Sequence, residues 1–285
     1  MARIINRTKR YLKGARIVLT HPSVLKRRHY IFLLSHIRGY TTVLSHILGS
    51  HPQISGYAET WTSYRSARDL LKLRCAVCFH GNYKANCTYF FDKILHNRLQ
   101  ISDSILNRPD IEYIFMIREP VPTIKSMVAF YRKYIAEGGA IEGCTLPATV
   151  EDAVLHYINR LRFLVGVSAG LRRIGKRTLV IRAEALINDP RCVLRELEAF
   201  LNLKSALDEH YSIFDRTGEW SLSDTSEFIR KGTIERNRPD HSEIIIPPQL
   251  LHEAHLEYDR CMGVLERFFQ QQMIPSVQYD LTDIP

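Results

Sequence analysis

The sequence predicts an α/β fold in which one parallel sheet is covered by helices on both faces. Short β-prone runs alternate with longer segments of helical periodicity, and the run at 113–117 is apolar throughout. Such a strand is expected where helices cover both faces of a parallel sheet. Polar motifs follow the runs directly, where the ligand site of a parallel sheet lies.

The predicted strands share apolar, β-branched and aromatic composition. They are residues 30–34, 54–58, 87–91, 113–117 and 178–182. The predicted helices follow capping residues or first-turn prolines and carry apolar stripes. Helices are predicted after Thr41, over residues 63–73, from Pro120, from Thr149 to about 174, from Asp189-Pro190, and from Pro247-Pro248 to about 271.

Length and composition favour one globular domain over residues 1–285, with a basic segment at about 1–29 and an extended tail at about 274–285. The chain has 45% hydrophobic and 24% charged residues. Charges interrupt the first 29 residues, and no uncharged apolar run approaches the roughly 18 residues of a membrane span. We therefore expect a cytoplasmic protein without a membrane partner.

The formal net charge of +9 favours anionic ligands, such as phosphorylated cofactors or polyanions. The basic residues are spread along the chain and recur beside the motifs. This distribution is more typical of a solvated surface than of a nucleic-acid arm, so no nucleic-acid partner is expected.

Three of the six cysteines lie close together, at Cys75, Cys78 and Cys87, with His80 between them. Their spacing could hold zinc or form a redox pair. No second C-x-x-C follows, and the segment continues a helix-like run. We therefore predict free, partly buried thiols and no disulfides.

Residues 30–50 predict a strand, a tight loop and a helix in succession. Gly39 is expected to supply the positive φ of the loop, and Thr41 and Thr42 place hydroxyls in the first helical turn. An anion there would meet free N–H groups, the helix dipole and Arg38. The Walker A pattern is absent, and an ordinary capped turn is the alternative.

Four charged residues follow predicted strands or stand at their ends: Arg38, Glu59, Lys93 and Arg118. In an open parallel sheet these positions converge on one crevice. The sequence therefore predicts a single site built from all four.

Two motifs resemble those of sulfotransferases that use 3′-phosphoadenosine-5′-phosphosulfate (PAPS). Arg38-Gly-Tyr-Thr-Thr-Val-Leu44 resembles their 5′-phosphosulfate loop, commonly R-x-G-T-T-x-L, and Arg118 to Ser126 resembles their 3′-phosphate motif, R-x-P-x-x-x-x-x-S. Residues 48–54 and 184–190 are also similar to phrases of bacterial and carbohydrate sulfotransferases. The resemblance spans about 30–203 and implies a P-loop-NTPase-like sulfotransferase fold, with PAPS as cofactor and PAP as product.

The resemblance also implies cofactor contacts. Those expected at the 5′-phosphosulfate are Arg38, Gly39, Tyr40, Thr41 and Thr42, and those expected at the 3′-phosphate are Arg118 and Ser126. A weaker likeness, to the R-K-G loop of cytosolic members, adds Arg230, Lys231 and Gly232. A solvated basic turn is the alternative for this last segment.

Glu59 matches the position of the glutamate base in carbohydrate-directed and bacterial members, so the resemblance implies that it accepts the acceptor's proton. His96 is the second candidate, because it follows Lys93 as the histidine base does in cytosolic members. Alternatively, Glu59 is a surface ion-pair partner and His96 a core histidine. Arg38 and Lys93 are the expected cations at the leaving phosphate, with no metal required.

Three features depart from the family pattern. Tyr40 stands where the loop glycine is usual, and Arg38 stands where cytosolic members use lysine. The K-x-x-F-T-V-x-x-x-E dimer motif of cytosolic members is absent, so the oligomeric state stays open.

The resulting hypothesis is sulfuryl transfer to a hydroxyl or amine of a small polar metabolite or sugar, such as a bacterial secondary metabolite. Its acceptor pocket is expected in the segments 61–87, 131–149 and 213–240. A P-loop-like nucleotide kinase is one alternative, disfavoured by the missing Walker lysine and by a 3′-phosphate motif that ATP would not need. A non-catalytic polyanion-binding module is the other.

Overall fold

A five-stranded sheet organises the chain, and each neighbouring pair of strands is parallel. The strands are β1 (His29–Ser35), β2 (Ile54–Ser55), β3 (Tyr89–Ile94), β4 (Ile111–Ile117) and β5 (Thr178–Arg182). Their order is β2-β3-β1-β4-β5, so β1 lies at the centre. The carboxyl ends of β3, β1 and β4 therefore stand side by side.

Helices connect the strands and cover the sheet. They are α1 (Thr41–Ser50), α2 (Ala67–Phe79), α3 (Asp103–Leu106), α4 (Pro120–Ala136), α5 (Val150–Arg173), α6 (Ala183–Asn188), α7 (Pro190–Leu201) and α8 (Pro248–Met273). This computed structural model describes residue 14 and residues 16–139, 146–219, 227–237 and 239–273. The predicted C-terminal tail and residues 1–13 and 15 of the predicted basic segment lie outside the described residues.

The two faces of the sheet carry separate hydrophobic cores, because successive side chains of a strand point to opposite faces. Phe32 of β1 and Phe115 of β4 pack in the core shared with α2, α4, α5 and α8. Leu33 and Met116 pack in the core shared with α1, α6 and α7. The predicted α/β class, a parallel sheet with helices on both faces, is confirmed.

The predicted helix caps are confirmed at α5 and α7. The hydroxyl Oγ1 of Thr149 accepts a hydrogen bond from the Asp152 N–H at 3.1 Å. Asp189 Oδ1 accepts from the Cys192 N–H at 3.3 Å, and Pro190 occupies the first turn. Each side chain satisfies an N–H group that has no partner within its own helix.

The prediction of a helix over 63–73 is wrong at both ends. The helix begins at Ala67, because Ser66 and Asp69 form a capping box, and it continues to Phe79. Tyr64 instead pairs with Ile101 in an isolated parallel bridge. Strand β3 is also shifted from its predicted bounds, and it includes Asp92 and Lys93. The short helices α3 and α6 carry too few apolar repeats to be predicted.

None of the described helices combines the length and the apolarity that crossing a lipid bilayer would require.

Gly56, just after β2, has a φ of +108°, and an added Cβ would lie 2.5 Å from the Phe91 carbonyl oxygen. We expect Gly56→Ala to reduce the free energy of unfolding by about 2 kcal/mol or more, because alanine disfavours this positive φ and its Cβ would collide with the backbone of β3. Gly166 in α5 has no atom within 4 Å of such a Cβ, so Gly166→Ala should stabilise by about 0.5–1 kcal/mol. Urea unfolding of both variants measures the pair, and equal effects would contradict this account.

Candidate functional site

The loop between β1 and α1 presents the start of α1 at the sheet edge. Tyr40 and Arg38 have left-handed φ values of 59° and 64°. Gly39 does not, so the expectation that it supplies the positive φ is wrong. Gly39 is instead required for space, because a Cβ there would lie 2.9 Å from Ser35 Oγ and 3.1 Å from the His36 carbonyl oxygen. Tyr40 thus adopts the conformation that favours glycine, at the position where the family pattern has glycine.

A buried imidazole joins this loop to the exit of β4. His36 Nε2 accepts a hydrogen bond from the Arg118 backbone N–H at 3.0 Å, so Nδ1 carries the proton and donates to the Ile37 carbonyl oxygen at 2.9 Å. His36 is fully buried, and burial lowers its pKa to about 3. The neutral ring therefore fixes the relative position of the two predicted phosphate motifs.

The side chains of the two motifs are in direct contact. Arg38 Nε donates to Ser126 Oγ at 3.0 Å. Arg118 donates to the Arg38 carbonyl oxygen at 3.0 Å and to the Tyr40 hydroxyl at 2.6 Å, and its guanidinium lies 4.0 Å from the centre of the Tyr40 ring. The predicted convergence of the two motifs is therefore present, while their binding of phosphate stays a prediction.

Lys93 places a buried cation at the first turn of α1. Its side chain extends from β3, the residue is 2% exposed, and Nζ donates to Thr42 Oγ1 at 3.2 Å. Thr41 beside it is also buried. Hydroxyls, helix N–H groups and an ammonium group at one helix terminus form an environment that favours anions.

Glu59 lies in the loop after β2, within electrostatic range of Lys93. It is 6% exposed, and Oε1 has no hydrogen-bond partner among the described residues, although His96 Nε2 is 3.5 Å away. Burial raises the pKa of Glu59 to about 8, and Asp92 adds to the rise, while Lys93 and Arg160 oppose it. The alternative of a surface ion-pair partner is wrong, because the carboxylate is buried.

His96 is a partly buried, neutral ring. Burial lowers its pKa to about 3, with positive Arg160 and Arg98 contributing. It stacks on Trp61 with ring centroids 4.6 Å apart, and the Arg98 guanidinium lies 4.8 Å from the Trp61 ring centre. The role of His96 stays a prediction.

The segment from Arg230 to Gly232 lies beside residues 211–218. A Cβ on Gly218 would lie 2.8 Å from an Arg230 guanidinium nitrogen, and the Gly232 carbonyl oxygen accepts from the Tyr211 N–H at 2.8 Å. Lys231 forms an ion pair with Glu235. Contact of this segment with a phosphate stays a prediction.

Two buried charged residues at the site were not assigned a role from the sequence. Asp92 accepts hydrogen bonds from the Thr60 N–H and hydroxyl and from the Tyr64 hydroxyl, which fixes the loop after Glu59. Arg160 of α5 is fully buried, and its Nε donates to the Ser35 carbonyl oxygen at 2.7 Å. The available signals were a carboxylate within an apolar strand and an arginine on the apolar stripe of a predicted helix.

A cavity of about 400 Å³ lies beside Trp61, in the segment that follows Glu59. It is lined by Trp61, Thr62, Ser63, Arg65, Asp69 and Lys72. Trp61 connects it to His96, which lies next to Glu59. Polar and charged groups therefore line a cavity that shares Trp61 with the His96 ring stack.

Within the part of the chain that the structure describes, no group of three or more His, Cys, Asp or Glu residues could hold a metal ion. Cys75, Cys78 and Cys87 are free thiols there, and burial raises the pKa of Cys78 to about 12.

No family model and no curated protein matches the chain. Among solved structures, it is similar to sulfotransferase STF1 from Mycobacterium tuberculosis H37Rv, at 12% identity and a TM-score of 0.48, over 88% of this chain and 82% of that one. It is also similar to sulfotransferase STF9 from Mycobacterium avium, at 12% identity and a TM-score of 0.41, over 92% and 82%. Likeness at this level assigns neither a family nor an activity.

The raised pKa of Glu59 makes folding stability depend on pH. The folded state holds the proton more tightly than the unfolded chain, so this group's contribution to stability falls as pH rises from about 4.5 to about 8. Glu59→Gln removes this pH dependence. The free energy of unfolding of the variant, relative to that of the wild type, should therefore increase by up to about 1.4 kcal/mol per pH unit in that window. Urea unfolding across pH measures the difference, with exposed Glu253→Gln on α8 as control. A difference that stays flat with pH would contradict the buried state of Glu59.

Proposed function

We propose that this protein transfers the sulfuryl group of PAPS to a hydroxyl or amine of a small polar metabolite or sugar. The observation that carries the proposal is the contact between the two motifs, Arg38 Nε to Ser126 Oγ at 3.0 Å, beside the start of α1. A ligand with phosphates at both ends of a nucleoside would engage both motifs together. The proposal includes a small-molecule acceptor, a cytoplasmic location and no nucleic-acid or membrane partner.

The residues at the sheet edge fit such a ligand chemically. Lys93, Thr41 and Thr42 cluster at the helix terminus, where a 5′-phosphosulfate would bind. Arg118 and Ser126 would hold the 3′-phosphate, since a planar guanidinium and a hydroxyl are well suited to bind phosphate oxygens. Arg38 bridges the two regions through Ser126. Gly39 and Tyr40 would shape the loop, and Arg230, Lys231 and Gly232 would add a second contact to the 3′-phosphate.

When bound, PAPS supplies a sulfuryl group whose bond to the 5′-phosphate breaks as the acceptor oxygen or nitrogen bonds to sulfur, leaving PAP. Glu59 accepts the proton that the acceptor loses. Lys93 and Arg38 offset the negative charge that grows on the departing phosphate. These fixed cations make a metal unnecessary in this proposal.

Glu59 is the better base of the two candidates. A pKa of about 8 lets Glu59 alternate between its two protonation states near neutral pH, whereas a pKa of about 3 makes His96 a weak proton acceptor. His96 instead stacks on Trp61 and lies against Glu59, which suits a residue that orients the carboxylate.

The acceptor is proposed to enter through the cavity beside Trp61. Its hydroxyl and charged lining favours a hydrogen-bonding molecule over a lipid. This cavity falls in the segment 61–87, from which the sequence predicted acceptor contacts.

Arg118→Ala should weaken PAP binding by roughly 2 kcal/mol or more, because a charge-assisted contact to the 3′-phosphate is lost. Binding of adenosine 5′-phosphate, which lacks that group, should change by only a few-fold. Calorimetry with both nucleotides measures the selectivity, and Arg195→Ala, which removes an exposed cation on α7, controls for net charge. Equal weakening of both nucleotides would indicate general loop damage and remove Arg118 from the 3′-phosphate site.

Glu59→Gln keeps the side chain's size but removes the base, so turnover with labelled PAPS should fall by about 10²-fold or more while PAP affinity stays within a few-fold. Arg38→Ala should damage both. Wild-type turnover should rise with pH toward about 8, as Glu59 loses its proton, and should survive EDTA.

Near-wild-type turnover of Glu59→Gln, with His96→Ala inactive, would move the base to His96. Loss of wild-type turnover on chelation, restored by magnesium, would favour the nucleotide kinase.

A further inference from the structure

Helix α5 holds the carboxyl ends of three adjacent strands through two buried side chains. The Tyr157 hydroxyl donates to the Arg118 carbonyl oxygen at 2.7 Å, just after β4. Arg160 donates from Nε to the Ser35 carbonyl oxygen at 2.7 Å, at the end of β1, and from Nη2 to the Ile94 carbonyl oxygen, at the end of β3. Both residues are 0% exposed. One helix face therefore sets the spacing of the strand ends that carry the candidate site.

The positive charge of Arg160 acts on the titratable groups around it. Its hydrogen-bond partners named above are neutral carbonyl oxygens, and Nη1 donates to the neutral Asn97 Oδ1 at 3.2 Å. A charge that is hydrogen bonded to neutral dipoles in the interior acts on other groups over a long distance, because the effective dielectric constant there is low.

The effects of this charge are consistent in sign. Arg160 contributes to the lowered pKa values of His36, His96 and His156, and it opposes the raised pKa of Glu59. In return, Glu59 raises the pKa of Arg160, which burial lowers to about 9. One cation thus favours the neutral form of three histidines and the charged form of one carboxylate.

We propose that Arg160 is a positioning residue of this site, which holds the ends of β1 and β3 together and supplies the fixed positive charge that favours the carboxylate form of Glu59. Its consequence for turnover rests on the proposed function, since only there does Glu59 serve as the base. The electrostatic effect of Arg160 on Glu59 does not depend on the proposed function.

Other charged groups also face Glu59. Asp92 and Lys93 come from β3, and His96 and Arg98 come from the segment that follows it. Lys93 favours the carboxylate as well, but its ammonium lies at the start of α1, where a bound anion would offset its charge. Arg160 is hydrogen bonded to strand carbonyls and keeps its effect when an anion is bound.

The test measures the ionisation of Glu59 without catalysis. The free energy of unfolding is followed across pH for pairs with and without Glu59→Gln, in wild-type, Arg160→Gln and Arg160→Lys backgrounds. The pH at which the Glu59-dependent change ends reports the folded-state pKa of Glu59. We expect this upper pH limit to rise by about one pH unit in Arg160→Gln and to stay within about 0.3 unit in Arg160→Lys. Tyr157→Phe, which removes the contact to Arg118 but no charge, should leave this upper pH limit unchanged.

An unchanged upper pH limit of the Glu59-dependent change in Arg160→Gln would overturn the proposal. If that variant does not fold, the Nε resonance of Arg160 is followed by NMR in the wild type. It should shift as Glu59 titrates near pH 8 and should not shift in Glu59→Gln, and a resonance that stays constant in the wild type would also overturn the proposal. If PAP does not bind, the proposed function is rejected. The unfolding and NMR measurements still test the effect of Arg160 on Glu59 in that case.

Discussion

The neutral state of one buried histidine underlies the geometry of the candidate site. His36 accepts the Arg118 N–H only while Nε2 lacks a proton, and its other nitrogen donates to its own loop. Protonation would remove that acceptor and bury a charge among cations. Burial prevents this by holding the pKa of His36 near 3. The loop after β1 and the motif after β4 therefore keep one relative position throughout the physiological pH range.

The same sheet edge concentrates buried charge. Lys93, Asp92, Glu59 and Arg160 are each at most 6% exposed and lie on adjacent elements. Burying four ionisable groups costs stability unless each finds partners, and Glu59 Oε1 lacks a hydrogen-bond partner among the described residues. Unsatisfied buried polarity of this kind is typical of functional sites, where reactivity is retained at the expense of stability. A strained non-glycine loop at Arg38 and Tyr40 fits the same pattern.

The sequence was sufficient for the fold class, because the central strands are apolar on both faces and their helices carry clear caps. It also placed Arg38, Lys93 and Arg118 at strand ends. In the structure Arg118 donates to the Arg38 carbonyl oxygen, and Lys93 donates to Thr42 in the first turn of α1. It did not give the true start of α2, where the Ser66 and Asp69 capping box overrode the preceding helix-forming residues. Local pattern also could not give Arg160 its position, since that depends on α5 crossing the ends of β1 and β3.

Tyr40 shows why the loop conformation could not be derived from residue preferences. Glycine is the residue that a positive φ favours, yet Tyr40 adopts one, with its ring packed against the Arg118 guanidinium. That contact and the hydrogen bond to the Tyr40 hydroxyl accompany a strained backbone and hold Arg118 at the loop. The neighbouring Gly39 is explained by close packing and not by a positive φ, because there is no room for a side chain at that position.

The central claim is that this sheet edge recognises a nucleotide phosphorylated at its 3′ position. The most direct measurement is calorimetric titration of the wild-type protein with PAP, with ATP and magnesium, and with a single-stranded oligonucleotide at two salt concentrations. The account predicts that PAP binds at least about tenfold more tightly than ATP, a difference of about 1.4 kcal/mol. Preference for ATP, or salt-sensitive oligonucleotide binding without preference for PAP, would contradict it.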